Sequence, residues 1–139
     1  MNATLLDTHT LVWLLDGSDR LGPESRALIR ASAQDEHLFL SAISPWEIAM
    51  LVSKGRLTLD RDVGEWLKAA LDLPGIHLEP LSPDVAVSST RLPSEIHPDP
   101  ADRIIVATAR HLGATLVTDD RLLLEYSKAG HVKTHRAGL

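Results

Sequence analysis

Six carboxylates stand at places in this chain from which four could be gathered at one cation site. Asp7 separates two apolar runs in TLLDTHTLVWLL, and Glu47 follows the tryptophan of SPWEIAM. Asp99 and Asp102 stand three apart in DPADRIIVATA, and Asp119 and Asp120 close TLVTDD. Carboxylates gathered together raise one another's pKa and repel unless positive charge sits among them, and hard divalent cations take oxygen ligands. One Mg2+ or Mn2+ ion, or two about 3.5–4 Å apart, would lower the pKa of a bound water and neutralise charge developing on a phosphoryl group. The chemistry such a cluster supports is phosphodiester hydrolysis.

Each acid also has a simpler reading as helix-end chemistry. Aspartate is among the best N-cap residues, which suits Asp7 before a helix starting near Thr8 and Asp99 before one starting at Pro100. Ser44 and Glu47 have capping-box spacing, so Glu47 would reach back to the Ser44 amide. Asp102, at the third helical position, would complement the helix dipole, and Asp119 and Asp120 would serve a turn or the next cap. Capping leaves unexplained why all of these acids fall at strand ends or in the first turns of neighbouring helices.

That placement follows from the order of elements. ATLL reads as a buried strand, and HTLVWLLDG as a helix stopped by Gly17. GPESRALIRASA begins a helix at Pro23, HLFLSAI is a second strand, and SPWEIAMLVSKGRL is a helix with Ser44 as N-cap, Pro45 at its first position and Gly55 as its stop. A helix over DVGEWLKAALDL, a strand over IHLEPL and a helix over SPDVAVSSTRLP follow. PDPADRIIVATARHLG is a helix capped by Gly113, ATLVT a strand, DRLLLEYSKAG a short helix and HVKTH a last strand. Strands alternating with helices predict an α/β fold, a central parallel sheet flanked by helices on both faces. No linker interrupts the series, so residues 1–139 are expected to be one domain. In such sheets ligands bind beyond the carboxyl ends of the strands, where these acids lie.

Composition sets outer bounds. The 139 residues are 44% hydrophobic and 24% charged, enough for one packed core. The absence of cysteine excludes a disulfide framework and thiolate metal sites, and fits a reducing compartment. No run approaches the roughly 20 apolar residues of a membrane span, and the N-terminus lacks the basic flank of a secretion signal, so a cytoplasmic location is expected. With a formal charge of -5, any nucleic-acid partner must meet local positive charge or bound metal.

Taken in order, Asp7 in LLDTH, Glu47 in SPWEIA, Asp102 in DPADRIIVATA and the T-x-D of LVTDD resemble the PIN domain, the metal-dependent ribonuclease fold of VapC-type toxins. The resemblance runs from about residue 3 to the last strand. It implies that Asp7, Glu47 and Asp102 hold the metal ion and the attacking water. The fourth acid follows Thr118 by two residues, which selects Asp120, with Asp119 as its rival. Thr8 and Thr118 match hydroxyl positions that support the site acids. Asp99 and Arg103 match positions of the subgroup with LLDTHTLVWLL and HPDPADRIIVATA forms: Asp99 would reach the metal through water, and Arg103 would pair with a site acid or with RNA phosphate. An ordinary helix-end ion pair is the alternative for both. The family implies an RNA substrate cut with Mg2+ or Mn2+, a cognate antitoxin protein that covers the site, and a homodimer.

Two other classes are weighed. A haloacid-dehalogenase-like phosphatase needs a second Asp two positions after the first, where this chain has His9. A receiver-like signalling module, for which Lys133 would supply the late lysine, needs paired acids at the first strand end, and LLDTH has one. A non-enzymatic α/β interaction module would retain the acids as caps alone. Among the seven histidines, His9 and His97 fall near the site segments without ligand spacing to a motif acid, and surface or packing roles are expected of them. Trp13, Trp46 and Trp66 are expected in core or interface packing.

Overall fold

The computed structural model describes residues 2–96 and 99–139; His97, weighed above, lies outside them. In chain order the elements are β1 (Thr4–Leu6), α1 (Thr8–Asp16), α2 (Pro23–Gln34), β2 (Leu38–Ser41), α3 (Ile43–Ser53), α4 (Val63–Leu71), β3 (Ile76–Glu79), α5 (Pro83–Ser89), α6 (Pro100–Leu112), β4 (Thr115–Thr118), α7 (Arg121–Ser127) and β5 (Lys133–Arg136). The strands form one parallel sheet in the order β3-β2-β1-β4-β5. This is the α/β architecture expected from the sequence.

The two-residue period of a strand sends neighbouring side chains to opposite faces, and here each face has its own core. On one face Leu6, Leu38, Leu40 and Val117 pack with Leu11, Val12 and Ile29 of α1 and α2 and with Trp66 and Ala70 of α4. On the other, Leu5 and Leu116 pack with Ile105, Val106 and Ala109 of α6 and with Leu123 and Tyr126 of α7. Leu5, Leu6 and Leu116 are inaccessible to solvent, so the strands that carry Asp7 and Thr118 at their ends run through the most buried part of the molecule.

Helix ends follow local chemistry almost throughout. Gly17 and Gly113 close α1 and α6 in the left-handed conformation, with φ of 64° and 62°. Pro23, Pro83 and Pro100 occupy first helical positions. The start of α3 departs from expectation, because the helix begins at Ile43 and Ser44 is not its cap. The Ser44 hydroxyl lies 3.0 Å from Thr8 Oγ1 and is fully buried. A tertiary hydrogen bond has taken the group that capping would have used.

Gly75 holds the turn from α4 into β3 with φ +80°, and a Cβ there would lie 2.0 Å from the carbonyl oxygen of Ala33. Gly75→Ala is expected to cost about 1–2 kcal/mol for the left-handed backbone and about 1–3 kcal/mol for the overlap. A thermal melt should show a fall on the order of 10 °C; an unchanged Tm would contradict this reading of the turn.

Candidate active site

The strand order reverses direction at β1, with β2 on one side and β4 on the other, so the loops leaving β1 and β4 part and open a crevice. Asp7 follows β1 directly, and Asp119 and Asp120 follow β4. Helix α3, after β2, brings Glu47 to the same edge. Helix α6 runs back towards β4 and starts at that edge, so its first turn delivers Asp99 and Asp102. All six acids line one cleft of about 610 Å³.

Asp7 is 7% exposed. Its Oδ1 accepts from the Thr8 amide at 2.8 Å, and its Oδ2 accepts from the Thr118 hydroxyl at 2.6 Å. A capping Asp normally serves the second or third amide of the helix, so capping accounts poorly for this geometry. The Thr118 hydroxyl also accepts from the Asp120 amide at 3.0 Å, which links the end of β4 to Asp7. Thr10 Oγ1 donates to the Val117 carbonyl at 2.8 Å and clamps α1 against the same strand.

Glu47 is held from the other side. Thr8 Oγ1 donates to Glu47 Oε1, and the same hydroxyl meets Ser44. The expected capping box is therefore absent, and the carboxylate faces the cleft side of the fold instead of the Ser44 amide. Asp99 and Asp120 do act as caps: Asp99 Oδ1 accepts from the Ala101 and Asp102 amides at 2.8 and 3.2 Å, and Asp120 Oδ1 from the Leu122 and Leu123 amides at 2.9 and 3.1 Å. Capping and cleft lining coexist in these two residues, because a helix N-terminus at the sheet edge points its dipole into the cleft.

Glu47, Asp99 and Asp102 each present a carboxylate oxygen within 4.8 Å of the other two. An oxygen-only donor set of this kind suits a hard cation. Asp99, expected at one remove from the metal, is thus in the tightest group, while Asp7 and Asp120 line the cleft beside it. Between the two neighbours after Thr118, Asp120 bears on Asp7 electrostatically and raises its pKa; Asp119 is exposed, and its Oδ1 accepts from the Gly138 amide at 3.3 Å.

Burial pushes the Asp7 carboxyl above its ordinary range, opposed by hydrogen bonds from Thr118 and Thr8. Burial likewise raises Glu47, offset by the Thr8 hydroxyl and reinforced by the charges of Asp7 and Asp99. A raised carboxyl pKa means that the folded state binds more protons than the unfolded chain above the ordinary values of 3.8 and 4.5. These two groups therefore favour folding most when protonated, and their contribution declines as pH rises through that window. In metal-free buffer, Glu47→Gln should gain Tm relative to the parent protein as pH is raised from about 4 to 7. A difference that narrows over that range would contradict the assignment.

Other expected residues fall elsewhere. Arg103 does not line the cleft; its Nη1 donates to the Ser89 carbonyl at 3.5 Å, tying α6 to the end of α5. His9, expected in a surface or packing role, lines the cleft, as do Trp13 and Arg20. The four-residue spacing of His9 and Trp13 puts both on one helix face, whereas Arg20, in the loop between α1 and α2, carries no local signal that marks it. Trp66 is a core residue at 3% exposure, whereas Trp46 is 56% exposed in the monomer.

The PIN domain family model matches residues 4–129. Ribonuclease VapC22 of Mycobacterium tuberculosis (strain ATCC 25618 / H37Rv) is 37% identical over 123 residues, covering 88% of this chain and 91% of that protein. Among solved structures, the chain resembles that of VapBC2 from Rickettsia felis bound to a DNA fragment from its promoter, with TM-score 0.69, 17% identity and coverage of 96% and 97% of the two chains. It also resembles FitAcB from Neisseria gonorrhoeae, with TM-score 0.66, 23% identity and coverage of 96% and 97%. At such identities the structural likeness concerns the fold.

Proposed function

Because the chain belongs to the PIN domain family, we propose that it is a Mg2+- or Mn2+-dependent endoribonuclease and the toxin of a VapBC-type toxin–antitoxin pair. The observation that carries this reading is the trio of Glu47, Asp99 and Asp102, whose ligand oxygens lie within 4.8 Å of one another in the cleft that Asp7 also lines. Capping accounts for Asp99 beside Asp102, but Glu47 caps nothing that would bring its carboxylate to them. The interaction-module and receiver-like alternatives are the weaker for it.

In the proposed site Asp7, Glu47, Asp102 and Asp120 act with Asp99 as the donor set. When bound there, a divalent cation supplies a water of lowered pKa and charge neutralisation at phosphoryl oxygen. The protein's part is to fix and aim the donors. The Thr8 hydroxyl orients Glu47, and the Thr118 hydroxyl orients Asp7 while receiving the Asp120 amide. Such supporting hydrogen bonds set which lone pairs are presented to the ion. The same carboxylates repel a bare phosphodiester, so cation and RNA binding should reinforce each other.

The domain is proposed to occupy residues 1–139, since β5 lies beyond the matched span yet pairs with β4. The family resemblance further supports a cognate antitoxin as protein partner and a homodimer, in which apolar groups exposed on the monomer such as Trp46 would find cover. Among the described residues no helix is long and apolar enough to cross a membrane; the cytoplasm, where RNA and antitoxin meet, is the proposed location.

The test is direct. Purified protein should cut single-stranded RNA in Mg2+ or Mn2+, stop on addition of EDTA, and resume when the metal is restored. Cleavage that persists at full rate in EDTA, or a protein that cuts no RNA under any of these conditions, would overturn the proposal.

A further inference from the structure

Apart from His9, the one basic side chain lining the acid cleft among the described residues is Arg20. Its guanidinium carbon lies over the Trp13 ring, 5.7 Å from the centroid, and Trp13 lines the cleft while packing its other side against the core. The loop that carries Arg20 is tied down at several points. The Ser18 amide donates to the Trp13 carbonyl at 3.0 Å, the Arg20 amide to Ser18 Oγ at 3.2 Å, and the Leu21 amide to the Ser18 carbonyl at 3.2 Å. Arg26 of α2 braces it from behind, donating to the Ser18 carbonyl at 2.6 Å and to the Leu21 carbonyl at 3.1 Å, and Leu21 is buried.

Resting on the ribonuclease reading, we propose that Arg20, held over Trp13 at the rim of the acid cleft, binds an RNA phosphate next to the one being cut. A protein of net charge -5 must concentrate what positive charge it offers RNA where the strand passes. An exposed arginine ordinarily loses much side-chain freedom on binding; contact with an indole restrains it beforehand. The attraction to the ring does not use up the guanidinium's N–H donors, which can take phosphate oxygens in pairs. The bracing by Arg26 fixes the backbone that carries this charge beside the carboxylates of the same cleft, where a tethered phosphate would fix the register of the strand.

Binding is measured apart from cleavage, on protein carrying Asp7→Asn and Asp102→Asn so that the RNA survives, using a fluorescently labelled single-stranded hexanucleotide. Adding Arg20→Met, which retains the apolar stem and removes the charge, should weaken affinity about tenfold. The slope of log affinity against log salt should fall by about 0.7, the share of one phosphate contact on a single strand. Arg20→Lys should keep the slope, and Lys128→Met, on the far end of α7, should leave both quantities unchanged. RNA should also alter indole emission, a response that Trp13→Phe removes. In active protein, Arg20→Met should raise KM in preference to lowering kcat. An unmoved salt slope in Arg20→Met, or an inert variant that binds no RNA, overturns the proposal even where the unmutated protein cleaves RNA. Absence of cleavage by the unmutated protein, with the slope change intact, overturns the ribonuclease reading alone.

Discussion

Replacing Asp7 by asparagine should leave a folded protein that cuts RNA about 10²–10³-fold more slowly, since in the proposed site it is a metal ligand, which would be worth several kcal/mol of transition-state stabilisation, and each 1.36 kcal/mol is tenfold in rate. Asparagine matches aspartate in shape. Its carbonyl oxygen can still accept from the Thr8 amide, and the Thr118 hydroxyl can turn to accept from the new amide. What disappears is a buried negative charge whose carboxyl is already displaced upward by burial. In metal-free buffer at neutral pH the variant should therefore melt at a slightly higher temperature than the parent. Lost activity with retained or increased Tm separates a functional carboxylate from a capping one, because a cap tolerates asparagine well and its loss shows in stability first. Parent-like cleavage rates in Asp7→Asn would remove Asp7 from the site.

The order of elements was legible because the chain punctuates itself locally. Gly17, Gly113 and the prolines at 23, 83 and 100 act through φ and a missing N–H, which depend on the residue alone, and the helices end and begin there. Asp7, Glu47, Asp99, Asp102 and the Asp119–Asp120 pair were legible as candidates because each follows a strand or opens a helix at one sheet edge. The start of α3 was hidden because Ser44 satisfies its hydroxyl across 36 residues with Thr8, a contact no local pattern carries. For the same reason the relative closeness of Asp99, Glu47 and Asp102 was out of reach: it depends on how α3 and α6 pack. Arg20 joins the cleft through a loop braced by Arg26, and the Arg103 guanidinium reaches the Ser89 carbonyl at the end of α5. Both contacts follow from tertiary geometry, which residue type alone does not carry.

The second large effect concerns the cation and stability. Acids gathered at one rim make the metal-free cleft self-repelling, so a cation that binds the native state alone should stabilise it by mass action. At a free Mn2+ or Mg2+ concentration of 100 Kd this is worth about 2.7 kcal/mol, and for a domain of this size the Tm should rise by roughly 8–11 °C. Combining Glu47→Gln with Asp102→Asn takes away two of the three clustered carboxylates. Such a protein should melt higher than the parent in EDTA, because repulsion is relieved, and should no longer respond to the ion. The two changes arise from the same charges and must appear together. A parent protein indifferent to millimolar Mn2+, together with a destabilised double variant, would favour carboxylates that serve the fold only. A metal response that survives both substitutions would put the ion at another site.

The carboxylates brought to this edge of the sheet are proposed to hold a divalent cation. Anomalous scattering from crystals grown with Mn2+ measures this without reference to RNA, antitoxin or rate. The predicted result is a manganese peak within coordination distance, about 2.0–2.3 Å, of oxygens from Glu47, Asp99 and Asp102 or of waters held by them, lying in the cleft lined by Asp7. A cleft without manganese density at millimolar Mn2+, or a peak confined to other carboxylates of the surface, would contradict it.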